Sequence, residues 1–343
     1  PQAEPAAPAG RRRGAWLSPK AETGLRILRH RLRDVLAASR EPVAPGSAYV
    51  NVSHLGFTGG GEDIAFVEKL GLAGVFFLHD LIPLTHPEYA RPGQDRLHRE
   101  RLATMLRLGR LILVNSRHTA DGLAAHAAQT GRPLPPLAVL PLGIAADWTR
   151  PSPPGPPPEP DGGQPPYFVV LGTIEARKNH LMLLNVWRRL AEERGAATPR
   201  LVIVGKRGWE AESVFDMLDR CAAIRGHVVE AGSLTDAATV ALVRGARAML
   251  FPSFVEGYGM PLVEALACGT PVVASDIPTF REIGAGLVDF VDPLDGPGWI
   301  AAIDRLAGED AAARRARLDA IAGYRPPTWD EHVDGVCAAL ARL

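Results

Sequence analysis

The chain has 343 residues, 46% of them apolar and 22% charged, an ordinary globular composition long enough for two domains. With 38 basic and 38 acidic residues the formal net charge is +0, which argues against phosphate-driven nucleic-acid binding as the main task. Cys221, Cys268 and Cys337 lack CxxC spacing, which excludes a disulfide scaffold and a zinc site, and no apolar run approaches the roughly 20 residues that span a bilayer.

No signal peptide is visible, so the expected compartment is the reducing cytoplasm. The chain begins at Pro1 rather than Met, which leaves room for residues upstream. Residues 1–150 carry 19 basic against 13 acidic side chains, and residues 151–343 carry 19 against 25. A basic half and an acidic half suit two domains with different partners.

In chain order, residues 1–20, rich in Ala, Pro and Arg, read as a disordered tail. Residues 21–38 place Leu25, Leu28, Leu32 and Leu36 at helical spacing beside Arg26, Arg29, Arg31 and Arg33. Such a basic amphipathic helix either makes peripheral contact with an anionic membrane or packs as a core helix with a solvated charged face. Strands are expected near 48–53, 74–78, 110–115 and 137–140, with helices near 62–70, 94–108 and 117–128. Gly56, Gly59, Gly60 and Gly61 form either a ligand loop or a flexible turn. Residues 151–166 contain nine prolines and three glycines and read as an exposed linker. Beyond it, strands are expected at 167–172, 200–205, 227–231, 248–253 and 271–275. Helices are expected at 179–194, 210–223, 235–245, 261–268 and 278–284, with a closing helix near 328–342. Short apolar strands alternating with helices imply parallel sheets covered on both faces. The fold class is therefore α/β, with two Rossmann-like doubly wound domains, 21–150 and 167–326, facing across a cleft. Ligands in such sheets sit beyond the C-terminal strand ends.

The most informative stretch is FPSFVEGYGMPLVEALACGTPVVAS, 251–275. A strand ends near Phe251, a loop carries Glu256, Gly257 and Gly259, and a helix opens with Pro261 in its first turn. The glycines admit a ligand close to the backbone, and the free amides at the helix start favour an anion. Glu256 and Glu264 do not share a helix face and are able to grip two parts of one long ligand; equally, they are solvated glutamates around an ordinary helix start. Arg177 and Lys178 follow the first strand of the second half, where they bind phosphate or flank a surface helix N-capped by Asn179. Ser116 reads as the N-cap of the helix after it.

Glu256 and Glu264 resemble the E-x7-E signature of retaining GT-B glycosyltransferases, family 4. The run through Gly269, Thr270, Pro271 and Val272 is similar as well, as is LGTIEARKNHLMLLNVWRRL, 171–190. HDLIPLTHPEY, 79–89, resembles an N-domain loop of bacterial members that build surface polysaccharides. The resemblance implies a metal-independent hexosyltransferase acting on a GDP- or UDP-linked sugar and a glycan or lipid-linked acceptor, with a lean to GDP-mannose. It places Arg177 and Lys178 on the diphosphate, with the Gly259–Leu262 amides. Glu264 falls on the ribose and Glu256 near the sugar, with Gly257, Tyr258, Gly259 and Met260 lining it. His79 and Asp80 reach the cleft rim, with His79 near the reacting carbon. Gly172 and Thr173 form the first donor loop, and Gly205, Lys206, Gly232 and Leu234 flank the base. Two departures are Thr173, where many relatives carry Arg, and Ala176, where they often have Pro. The closing helix is expected to brace the N-domain. That domain is small for the family, so it is either trimmed or preceded by further residues. Other readings are a binding protein that has lost catalysis, and an epimerase or phosphorylase of the same plan. A pyridoxal-phosphate enzyme needs a Schiff-base lysine, and the second half has only Lys178 and Lys206. A Rossmann dehydrogenase is disfavoured because no GxGxxG follows a strand.

Overall fold

The computed structural model describes residues 43–53, 56–57, 64–150, 165–284 and 286–343. The tail 1–20, the helix expected over 21–38, Gly59 to Gly61 and nearly all of the 151–166 linker lie outside the described residues.

Two parallel sheets organise the described residues. The first has the order β1 (Ala48–Asn51), β2 (Ala73–Leu78), β3 (Gly109–Val114), β4 (Leu137–Val139). Its central strands read GVFFL and LILV without polar alternation, because both faces are covered. Helices α1 (Gln94–Leu108) and α2 (Arg117–Gln129) take one face, where Phe76, Ile112, Leu102 and Leu123 are buried together. On the other face lie Val75, Phe77, Leu111 and Leu113, against Val336, Ala339 and Leu340 of the last helix, α10 (Trp329–Leu340). That helix starts on a capping box between Thr328 and Glu331.

The second sheet comprises β5 (Tyr167–Leu171), β6 (Arg200–Val204), β7 (Val228–Gly232), β8 (Ala248–Phe251), β9 (Val272–Ser275) and β10 (Val288–Val291). Its order is β7-β6-β5-β8-β9-β10, all parallel. This is the doubly wound order that reverses direction between its first and fourth strands. Helices α3 (His180–Arg194), α4 (Glu212–Arg220), α5 (Asp236–Gly245), α6 (Met260–Ala267), α7 (Pro278–Ile283), α8 (Gly296–Ala307) and α9 (Ala311–Ile321) complete the domain. Successive residues of β5 point to opposite cores. Phe168 and Val170 join Trp187 and Trp299; Val169 and Leu171 join Phe251, Leu262 and Phe280. Buried Trp187 satisfies its indole by donating to the Pro199 carbonyl at 2.8 Å. The reversal puts the loops after β5 and β8 side by side at the C-terminal sheet edge.

Three expectations change. The helix expected over 62–70 is, among the described residues, one turn, Phe66–Lys69. The helix expected over 210–223 runs only Glu212–Arg220, because Glu210 is left-handed at φ 52°. The sequence also hid β10, α8 and α9. No helix among the described residues is long and apolar enough to cross a membrane.

Gly143 marks a close approach of the first domain to α10: a Cβ there would fall on the Trp329 amide nitrogen and the Thr328 carbonyl carbon. Gly143→Ala is expected to cost about 1–3 kcal/mol by overpacking, lowering Tm and raising proteolysis near residue 328. Gly296→Ala, whose Cβ meets nothing within 4 Å, is the control expected to leave both unchanged.

Candidate donor site

The β5 and β8 loops build the site from opposite directions in sequence. After β5, Gly172 takes φ +127°, and the chain turns through a short 3-10 segment, Ala176–Lys178, into α3. After β8, Pro252 to Gly259 lead into α6. The two loops meet at Glu256, which is 6% exposed. Its Oε1 accepts from Lys178 Nζ at 2.6 Å and Ser253 Oγ at 2.9 Å, and Oε2 pairs with Arg177 at 2.6 Å. Arg177 also pairs with Glu175 at 2.8 Å, and the Lys178 ammonium lies 4.8 Å from the Phe251 ring centre. A carboxylate this buried is stable only when paired. Burial alone would raise the Glu256 carboxyl, but Lys178 and Arg177 outweigh it and hold it below the usual range. Burial outweighs Glu256 at Lys178 and lowers its ammonium. Glu175, Glu256, Arg177 and Lys178 thus form a charge-balanced cluster, in which Lys178 is enclosed and Arg177 keeps 21% of its side chain exposed.

Four amides at the start of α6 are free. Gly257, Tyr258, Gly259 and Met260 donate no hydrogen bond to another protein group among the described residues. Gly259 sits at φ +108° with Phe280 where a Cβ would stand, so only glycine turns the chain there. These amides and the helix dipole offer an anion site next to the cation cluster. One turn along α6, the Glu264 carboxyl is engaged by no hydrogen bond or ion pair among the described residues. Burial, then Asp236 at the start of α5, raises its carboxyl to about 7. Glu264 therefore faces the loop after β7 as an unpartnered acceptor. Gly172, Gly205 and Gly232 pack at the strand ends: the Gly172 amide donates to Val204 O and the Gly205 amide to Gly232 O, both at 3.0 Å. Lys206 and Leu234 are exposed at this rim.

Several expected roles are corrected. Asn179 holds the N-cap position of α3 but makes no side-chain cap bond: it is left-handed at φ 56°, and its amide bridges the carbonyls of Pro252 and Pro293. Tyr258 does not line the site by its side chain, which is buried in the core with Leu262 and Phe280. Only its backbone amide is left free at the loop. The Leu262 amide is already used, donating to Gly259 O at 3.0 Å, and Pro261 has none. The anion-facing amides therefore start earlier, at Gly257 rather than Gly259. Thr173 packs against Gly208, in a loop stitched by backbone bonds from Ile174 to Lys206 and from Gly208 to Ile174.

The first domain closes over this edge. His79 Nε2 lies 2.9 Å from Val52 O, and a Cβ on Gly257 would lie 2.5 Å from His79 O. Ser116 N-caps α2 by accepting from the Thr119 amide at 3.1 Å. Tyr89 stacks on Phe254 with centroids 5.4 Å apart, and the Arg91 guanidinium lies over Trp209 at 4.8 Å. Sequence reasoning missed Glu175, Ser253, Thr279 and Glu282. Glu175 and Ser253 stand inside the informative segments, beside Arg177 and Glu256, but the Lys178–Glu256 contact that joins the two segments spans 78 residues of chain and leaves no local signal.

Residues 157–293 match the family described as glycosyl transferases group 1. The serotype-specific mannosyltransferase WbdA of Escherichia coli is 30% identical over 224 residues, 62% of this chain and 27% of the relative. The O-antigen chain mannosyltransferase B of Escherichia coli is 32% identical over 166 residues, 48% of this chain and 42% of the relative. The chain thus spans less than half the length of these relatives. A UDP-forming α,α-trehalose-phosphate synthase from Burkholderia xenovorans superposes with TM-score 0.66 at 12% identity, covering 95% of this chain and 79% of that one. Anabaena HepE in complex with UDP gives 0.59 at 16%, covering 81% and 74%. The fold is GT-B.

Glu264 yields a prediction with a defined sign. Its carboxyl is raised from 4.5 to about 7 on folding, so its stabilising contribution is full below about pH 4.5 and lost as pH rises through about 7. Glu264→Gln removes that loss. The ligand-free variant is expected to match the parent at pH 4.5 and to exceed it by up to about 2–3 kcal/mol at pH 8, read as Tm against pH.

Proposed function

We propose that this chain, whose residues 157–293 match the glycosyl transferases group 1, transfers a hexose from a nucleotide diphosphate sugar to a growing surface polysaccharide or lipid-linked glycan. The donor favoured by the resemblance is GDP-mannose, with UDP-linked sugars second. The O-antigen mannosyltransferase relative supports the polysaccharide setting. One observation carries the reading: at the switch point of the second sheet, a buried cation cluster adjoins four free amides and an unpartnered carboxylate. A diphosphate matches the cations and amides, and a ribose diol matches Glu264.

The chemistry follows from charge. Breaking the bond from the sugar to the diphosphate leaves negative charge on the terminal phosphate oxygen. Arg177, Lys178 and the Gly257–Met260 amides stabilise it without a metal. The acceptor hydroxyl attacks the anomeric carbon from the face the diphosphate leaves, and its proton passes to that phosphate oxygen. Configuration is retained, and no side chain is assigned as nucleophile or general base. His79 stands on the first-domain side of the reacting carbon.

The test is thermal stability against GDP, UDP, ADP and their sugar conjugates, with and without EDTA. One nucleotide at about 100 times its Kd is expected to add roughly 2.7 kcal/mol whether or not EDTA is present. Product analysis with GDP-mannose should then show an axial linkage. A shift that needs a divalent metal overturns the metal-free mechanism, and binding without transfer or hydrolysis favours a protein that only binds sugar nucleotides. Glu264→Ala is expected to weaken nucleotide binding by about 1–3 kcal/mol. Lys178→Ala is expected to weaken GDP binding and spare guanosine; equal loss of both would indicate misfolding.

A further inference from the structure

The loop that carries Glu256 is pinned by backbone carbonyls to two different domains. The Glu256 carbonyl accepts from Thr279 Oγ1 at 2.8 Å, a bond within the second domain. The Gly257 carbonyl accepts from Ser116 Oγ at 2.9 Å, and Thr119 Oγ1 reaches it at 3.4 Å, both from the first turn of α2 in the first domain. Ser116 is 0% and Thr119 2% exposed, so these bonds are shielded from water. A third contact closes a triangle: Glu282, on the same α7 helix as Thr279, accepts from the Arg117 amide at 2.8 Å and the His118 amide at 3.1 Å. Helix α7 therefore holds both the donor loop and the start of α2. Glycine at 257 permits the approach, since a Cβ there would also lie 2.7 Å from Asp80 Cβ.

We infer that Ser116 is a positioning residue for the transfer reaction. Its hydroxyl, supplied by the first domain, fixes the Gly257 carbonyl and through it the Glu256 carboxylate that aligns Arg177 and Lys178. The inference rests on the proposed transfer reading for its kinetic consequence, but not for its structural one. When the domains part, the 256–257 backbone loses one of its two anchors, and the cation cluster loses its register with the adjacent amides. When they close, donor and first-domain groups are aligned together. Ser116 thus does two things at one atom: it accepts from the Thr119 amide as an N-cap, and it donates across the interface.

Substitutions at 116 separate the two. Glycine is nearly as good an N-cap as serine, and alanine is poor; neither donates a hydrogen bond. A capping role alone makes Ser116→Ala harmful and Ser116→Gly nearly silent, whereas a positioning role makes both harmful. Hydrogen exchange of the Phe254 and Leu262 amides, which donate to Arg177 O and Gly259 O on either side of the loop, needs no ligand. It is expected to accelerate at least tenfold in Ser116→Gly and Ser116→Ala and to return to within twofold of the parent in Ser116→Thr. With GDP-mannose as the probe, kcat is expected to fall about five- to tenfold in Ser116→Gly while KM stays within twofold, and Ser116→Thr restores it. Parental exchange in Ser116→Gly overturns the inference, as does parental kcat. If the parent chain turns over neither GDP-mannose nor UDP-glucose, the transfer reading fails, and the exchange result alone decides the role of Ser116.

Discussion

A carboxylate with almost no exposed surface has to be neutralised by its neighbours, and at Glu256 that requirement ties distant parts of the chain together. Its partners Arg177 and Lys178 come from the other side of the sheet reversal, and strand order alone makes them neighbours. Removing either cation leaves a buried charge short of a partner, so the arrangement resists partial change. The same arrangement divides the labour between the cations. Lys178 is enclosed and committed to Glu256, while Arg177 is more exposed and shares two carboxylates. In the proposed reaction Arg177 is the more open of the two cations to the diphosphate, and Lys178 adds its charge from the enclosed side.

That division bears on Thr173. This residue supplies no cation after β5 and packs against Gly208 in a tightly stitched loop. Arg207 is no substitute, since it is held by Asp219 and Glu230 at 2.6 and 2.7 Å. Its exposed pairs contribute little to stability individually, but together they occupy the guanidinium. Lys206, exposed on the loop after β6, is in no ion pair among the described residues. In the proposed reaction the charge available to a diphosphate thus comes from Arg177, Lys178, the α6 amides and the neighbourhood of Lys206.

Most of the fold was legible because periodicity survives in covered elements. The helix expected over 94–108 is α1 to the residue, and the apolar runs of β2, β3, β5 and β6 mark strands buried on both sides. β10 was not, because VDFV carries an aspartate and is half-buried at a sheet edge. α8 was hidden by Gly-Pro-Gly, which reads as a breaker, although Asp295 caps it by accepting from the Gly298 amide at 3.0 Å. At the site, the E-x7-E spacing brought out Glu256 and Glu264 as a pair, but not that one is enclosed by cations and the other unpartnered. Side-chain direction in an irregular loop follows no period, so Tyr258, expected to line the site, keeps only its amide there and buries its side chain in the core. Asn179 has the composition of an N-cap, yet its left-handed backbone turns the side chain to two prolyl carbonyls.

The two glutamates differ through geometry rather than chemistry. Glu256 sits where two cations converge, and their attraction outweighs the desolvation that alone would raise its carboxyl. Glu264 sits one turn into α6 with no cation in contact, so desolvation and Asp236 act unopposed. In the proposed reading the ordering suits a site that takes a neutral diol beside an anionic diphosphate. A permanently paired carboxylate holds the cations in place without competing for ligand hydroxyls. An unpaired one gains most from two hydroxyl donors, because they supply the hydrogen bonds the protein withholds. Binding of a diol would then draw the Glu264 carboxyl down toward the ordinary range, so nucleotide occupancy and proton release at that site would be coupled.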